Sequence, residues 1–165
     1  MIGNDIVDRK LAAKESNWQR RGFLGKLFHS HEIETILPSA DPELTVWILW
    51  SMKESVYKII NRQTGIRHYN PMSFQIRNAK ISNHSASAEV RYESQCFIAQ
   101  SEITNELIHT IAVENEQQFS KIQSLGKSAP IFKQKGLPFL DNQFTKPVSV
   151  SHHGRFTRRI CLMQS

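Results

Sequence analysis

Cysteine is scarce in this chain: two residues in 165, Cys96 and Cys161, with no Cys-x-x-Cys and no His/Cys spacing suited to zinc. Neither a disulfide framework nor a structural metal is indicated, and both thiols are expected to be buried. Long apolar runs are also lacking, since none reaches the roughly eighteen residues of a membrane span. The N-terminus has neither a basic leader nor an apolar signal core, so export and membrane insertion find no support and a cytoplasmic location is expected. No internal repeat, low-complexity tract or single-sign tail occurs. The aromatic-basic signature of an RNA-recognition sheet is missing as well, which argues against a nucleic-acid module.

What is present fits one domain over residues 1–165: 39% hydrophobic and 22% charged residues, enough for a single core. A formal charge of +6 and a pI near 9.5 favour acidic partners, whether nucleic acid, an anionic protein or a phosphorylated small molecule. Charge alone does not choose among them.

Met1 to Val7 reads as a short buried strand and Asp8 to Arg21 as a helix, rich in Leu, Ala, Lys and Glu. Ser30 is placed to cap a short helix over His31 to Leu37. Asp41-Pro42 then puts an N-cap before a proline at the first helical position. A longer helix is expected over Glu43 to Asn61, where Val46, Leu49, Trp50, Met52, Val56, Ile59 and Ile60 recur at helical spacing. Beyond Gly65 the period changes to two, and strands are expected around Phe74 and Ile76, Ala86 to Tyr92, Phe97 to Ile103 and Leu107 to Val113. Glu114 to Pro130 reads as a loop or short helix. Val148 to Val150 reads as a last strand before the polar turn Ser151-His152-His153-Gly154. The class is α+β, helices packed on a largely antiparallel sheet.

Three places concentrate chemistry. Asp5 sits inside an apolar strand, where a carboxylate must face solvent, a partner or a cation, although a strand-end cap is the plainer role. Glu54 and Lys58 stand four residues apart on the long helix, the arrangement of an ordinary surface ion pair, with Lys53 beside them. Mg2+ takes hard oxygen donors, one or two carboxylates plus substrate phosphates and water, with a lysine nearby for phosphate charge; Asp5, Glu54 and Lys58 form such a set. Ser151, His152 and Arg155 cluster around Gly154, a set suited to gripping a phosphate. A Ser-His nucleophile is the rival there, but adjacent residues of an extended chain point apart and no G-x-S-x-G elbow precedes them.

Taken together these segments resemble the 4'-phosphopantetheinyl transferase superfamily. Ile2-Gly3-Asn4-Asp5-Ile6-Val7-Asp8 is similar to its G-x-D-I-v-[DE] segment. Trp50-Ser51-Met52-Lys53-Glu54-Ser55-Val56-Tyr57-Lys58 is similar to its W-x-x-KE-[SA]-x-x-K helix. Ser151-His152-His153-Gly154-Arg155-Phe156 resembles its SH-x-G-[RD]-[WF] turn, and Gly136-Leu137-Pro138 its G-[KR]-P. The motif order resembles that of the small holo-acyl-carrier-protein synthases, although residues 82–146 are longer than that group's usual middle.

The resemblance implies a 4'-phosphopantetheinyl transferase-like fold and transfer of phosphopantetheine from coenzyme A to a serine of an acyl or peptidyl carrier protein, as in fatty-acid, polyketide or peptide synthesis. It implies Mg2+ on Asp5 and Glu54, Lys58 neutralising the 3',5'-ADP leaving group, and Ser151 and His152 on the nucleotide phosphate with Arg155 assisting. Asp8 would have a secondary role and His153 no assigned one. Glu54 is the expected proton acceptor for the serine. Leu137 departs from the family's basic residue, so either another base, Lys133, Lys135 or Lys26, substitutes or coenzyme A binds more weakly. Arg9, Lys10, Lys14, Arg20, Arg21 and Lys26 are the expected docking residues for an acidic carrier, and a homotrimer is expected. The alternative is a non-catalytic basic module that binds an acidic protein or RNA, with Glu54 and Lys58 as a plain salt bridge.

Overall fold

The computed structural model describes residues 1–163. Its frame is a five-stranded antiparallel sheet in the order β1-β5-β4-β3-β2, formed by β1 (Ile2–Asp8), β2 (Phe74–Ile81), β3 (Ser85–Tyr92), β4 (Gln95–Ile103) and β5 (Leu107–Val113). These are the alternating segments of the sequence, and alternation buries one face: Ala86, Ala88 and Val90 of β3 meet Phe97 and Ala99 of β4 in the core. The α+β class and the helix-on-sheet packing are as the sequence indicates.

The long helix α4 (Pro42–Thr64) packs on this sheet. Its start follows from chemistry: Asp41 accepts a hydrogen bond from the Leu44 amide, and Pro42 occupies the first turn. Its end is Gly65, left-handed at φ 75°. Val46, Leu49, Met52, Val56, Ile59 and Ile60 are buried beneath it. The closest approach is at Gly3 on β1, where an added Cβ would lie 2.0 Å from the Ser55 carbonyl oxygen. Glycine there lets the strand bearing Asp5 lie against the helix bearing Glu54.

Of the short helices, α3 (Ser30–Ile36) packs on α4, α2 (Phe23–Leu27) on α3, and α1 (Arg9–Glu15) on the end of β1. α1 is shorter than the sequence suggests. It ends at Ser16, after which the Asn17 side chain accepts from the Gln19 amide and turns the chain. α3 starts at Ser30, with His29 as N-cap; the Glu32 carboxylate takes the His29 amide. Glu32 also receives Lys53 at 2.7 Å, a pair with side chains 1% and 0% exposed, and Lys53 further donates to the Leu27 and Pro71 carbonyls. Lys53 therefore fastens α4 to the segments before and after it, which explains its place in the core beside an otherwise cleft-facing motif.

After β5 a 3-10 turn (Glu116–Lys121) leads to β6 (Ile122–Ser124), a two-stranded hairpin of β7 (Phe132–Gln134) and β8 (Leu137–Phe139), and then β9 (Val148–His153) and β10 (Phe156–Leu162). The second sheet runs β6-β10-β9. Two expectations are corrected here. Ser151, His152 and His153 continue β9 instead of forming a turn, the turn being Gly154-Arg155 with Gly154 at φ 52°. Cys96 is exposed, because it opens β4 on the solvent side, and only Cys161 is buried.

Candidate active site

β1 is hydrogen-bonded to β5 along one edge, leaving the amides of Asn4, Ile6 and Asp8 to find other acceptors. They find alternate side chains of β9: Ser149 Oγ at 2.9 Å, Ser151 Oγ at 3.0 Å and His153 Nδ1 at 2.9 Å. This side-chain seam replaces a backbone ladder. It also joins the first and last motifs of the sequence within one chain. Ser151 donates its own proton to Asp5 Oδ1 at 3.0 Å, so the hydroxyl orients the carboxylate.

Across from Asp5 stands Glu54 on α4. Its carboxylate has no hydrogen-bond or ion-pair partner among the described residues, and its pKa is pushed up from 4.5 to about 7, first by burial and then by the charge of Asp5, with Lys58 opposing. Lys58, one turn on, reaches back to β1: its ammonium donates to the Asn4 carbonyl at 2.6 Å and lies 3.6 Å from Asp5 Oδ1. The structure therefore brings Asp5, Glu54, Lys58 and Ser151 together. Two carboxylates repelling each other beside an ammonium, one of them without a partner, suit a hard divalent cation completed by phosphate oxygens and water. Among the described residues no group of three His, Cys, Asp or Glu could hold a metal unaided. The residues present fit Mg2+ on those terms, and Asp5 and Glu54 are the side chains that would hold it.

Asp5 and Glu54 line a cleft of about 480 Å³, within the usual range for ligand sites, while Lys58 and Ser151 contact Asp5 from outside that lining. His152 and His153 line it too, together with the apolar side chains of Phe23, Leu27, Trp47 and Trp50, the last two on the same face of α4 as Glu54. His152 is exposed, bonded through Nδ1 to Thr157 at 2.9 Å, and on the opposite face of β9 from Ser151. The two therefore form no nucleophile pair. Arg155 is not brought to the carboxylates: it forks onto Asp8 at 2.9 and 3.1 Å and reaches Glu106 at 3.0 Å. That guanidinium holds the Asp8 carboxyl well below the usual carboxylate range. Asp8, which also caps α1 through the Leu11 amide, ties the Gly154 turn to the end of β1.

Sequence reasoning passed over Asn4 and His109. Asn4 is fully buried and bonded to Ser149 twice, to Lys58, and through Nδ2 to His109 Nε2 at 3.2 Å. Burial, then Arg158 and Lys58, push the His109 pKa down to about 4, so its ring is neutral and accepts from Asn4. The one sequence signal was a buried asparagine between two apolar strand positions.

A family model described as the 4'-phosphopantetheinyl transferase superfamily matches residues 1–119, a span that includes Asp5, Glu54 and Lys58. No individual curated protein matches the chain.

Proposed function

Because the chain belongs to the 4'-phosphopantetheinyl transferase superfamily, we propose that it moves the phosphopantetheine arm of coenzyme A to a serine of an apo acyl or peptidyl carrier protein. The observation that carries this reading is the pairing of Asp5 and Glu54 on one cleft, with Lys58 ion-paired to Asp5 beside it, all inside the matched span. In the reaction the serine oxygen bonds to the β-phosphorus, the bond to the 3',5'-ADP oxygen breaks, and the serine proton leaves. Glu54 takes that proton. Lys58, fixed by the Asn4 carbonyl, meets the charge growing on the departing 3',5'-ADP. Mg2+, when bound, would be held by Asp5 and Glu54 and would draw charge from the pyrophosphate oxygens. Ser151 keeps Asp5 aimed, and His152 faces the cleft where the nucleotide phosphate is expected.

The exposed cations Lys10, Lys14, Arg20, Arg21 and Lys26 suit an acidic carrier surface, and Arg20 itself lines the cleft. The holo-acyl-carrier-protein synthase type, the homotrimer and a cytoplasmic site of action belong to the same proposal. Since the carboxylates, Lys58 and Ser151 meet inside one chain, a neighbouring subunit would add walls to the cleft. Among the described residues no helix is long and apolar enough to cross a membrane.

The test is intact mass spectrometry of an apo carrier protein incubated with this protein, coenzyme A and Mg2+. A gain of about 340 Da, the mass carried over by this displacement, is expected, and EDTA or Asp5→Ala abolishes it. No gain on fatty-acid, polyketide or peptide carriers, with no thermal shift by coenzyme A, refutes the reading.

A further inference from the structure

One histidine of the last motif has a ring nitrogen to spare. His153 ends β9, two residues beyond Ser151 on the same side of the strand, and its Nδ1 accepts the Asp8 amide at 2.9 Å. A nitrogen that accepts an amide N–H carries no proton, so the ring proton sits on Nε2 and that nitrogen is a donor. Nε2 has no hydrogen-bond partner among the described residues. Glu15 Oε2, at the end of α1, stands 3.7 Å from it, beyond hydrogen-bond length, and the two side chains are 29% and 58% exposed. The seam between β1 and β9 explains Nδ1 and leaves Nε2 and Glu15 unspent.

Both side chains line the cleft that holds Asp5 and Glu54. Ser151 touches Asp5, and two residues along a strand span about 7 Å, so the gap between His153 and Glu15 opens at about that distance from the carboxylate end. A donor and an acceptor set this far apart suit a group that is both, a hydroxyl that accepts from Nε2 and donates to the carboxylate. A single amide does not serve, because its N–H and C=O point to opposite sides. Nor does His153 serve as a base, since its one lone pair is held by the Asp8 amide.

We propose that His153 and Glu15 bind the hydroxyl of the pantoyl unit, the part of the coenzyme A arm next to the pyrophosphate. The inference rests on the coenzyme A reading above. The arm carries a single hydroxyl, which lies about 6 Å from the β-phosphorus at ordinary bond lengths. The two spacings agree, so a β-phosphate at Asp5 and Glu54 brings this hydroxyl to His153. The two methyl groups beside it need an apolar surface, and the cleft offers Val7, Phe23, Leu27 and Trp47.

The test is calorimetry with Mg2+ present, comparing coenzyme A with an analogue whose pantoyl hydroxyl is replaced by hydrogen. Wild type is expected to bind coenzyme A about tenfold tighter, the worth of hydrogen bonds that include one to a carboxylate. Two substitutions separate the ring nitrogens. His153→Asn keeps an acceptor for the Asp8 amide in the place of Nδ1 and removes the Nε2 donor, so it should cut the preference at least about threefold. His153→Gln sets an amide nitrogen in the place of Nε2 and should retain the preference. A residue that serves the seam alone would give the reverse order, with no effect from asparagine and, from glutamine, a loss that falls on both ligands alike; that result overturns the assignment. Glu15→Ala, at an exposed helix end, tests the acceptor in a folded protein even if the β9 variants do not fold, and should also lower the preference at least about threefold. An undiminished preference in Glu15→Ala, or none in wild type, overturns the assignment as well. Binding of neither ligand by wild type removes the coenzyme A reading itself, and the inference with it.

Discussion

Replacing Glu54 by glutamine should make the metal-free protein more stable at alkaline pH while abolishing its activity. In the folded state Glu54 titrates at about 7 instead of 4.5, so between those values the folded protein holds a proton that the unfolded chain has released. Stability contributed by such a group is present below 4.5 and is lost as the pH rises through about 7. The loss amounts to about 3 kcal/mol once Glu54 is ionised. His109 runs the other way: its pKa falls from 6.5 to about 4, so the unfolded chain takes up the proton first, and its contribution, present above 6.5, is lost as the pH drops toward 4. The two opposed slopes nearly cancel between pH 4.5 and 6.5 in wild type. Glu54→Gln removes one of them.

Urea unfolding in EDTA across pH 4 to 8 should therefore show a variant whose advantage over wild type grows by about 3 kcal/mol from the acid to the alkaline end. Any desolvation of the glutamine amide is constant with pH and drops out of this difference. Adding Mg2+ should stabilise wild type and leave the variant unmoved, and transfer to the carrier should fall at least about a hundredfold. An advantage of the same size at pH 4.5 and pH 8 would mean that Glu54 is not held in a desolvated, like-charged site, and the argument for its role as ligand and base would fail with it.

Gly3→Ala should cost about 3 kcal/mol or more in urea unfolding, since its Cβ would collide with the Ser55 carbonyl; a loss under about 1 kcal/mol would refute the close approach of β1 and α4. Ser151→Ala leaves the buried Ile6 amide without its acceptor and should destabilise by about 1–3 kcal/mol. It should also weaken Mg2+ binding by releasing Asp5, and unchanged calorimetric affinity for the metal would count against that orienting role. Reversing Arg20 and Arg21 together to glutamate should raise the apparent KM for an acidic carrier at low salt, with the effect shrinking as salt is added. An unchanged KM at low salt would place the carrier on another face.

α4 was legible because its cap, proline, apolar period and terminal glycine all agree, and the strands of the first sheet were legible because one of their faces is buried against it. β9 was cut short because its inward positions are Ser149, Ser151 and His153, polar residues chosen to satisfy the β1 amides, so the apolar alternation that marks a half-buried strand is absent where the seam runs. β10 went unseen for a related reason: Arg158 and Arg159 interrupt its pattern, although Arg159 lies in the strand with its guanidinium on the Lys127 carbonyl. A sequence reads out burial by period, and it falls silent where tertiary partners satisfy polar groups.

The same limit separates the two halves of the site. Asp5, Glu54 and Lys58 were recognisable as a set from the chemistry of Mg2+ and the resemblance of their motifs, and the fold brings the Lys58 ammonium to 3.6 Å from Asp5 Oδ1. Arg155 and Ser151 were placed by residue type and by the resemblance of the last motif, and the structure gives each a prior engagement. Arg155 is occupied by Asp8 and Glu106, two carboxylates that a phosphate would have to displace. The arginine of the last motif is thus built into the turn it follows, its guanidinium held by Asp8 and Glu106 across from β1.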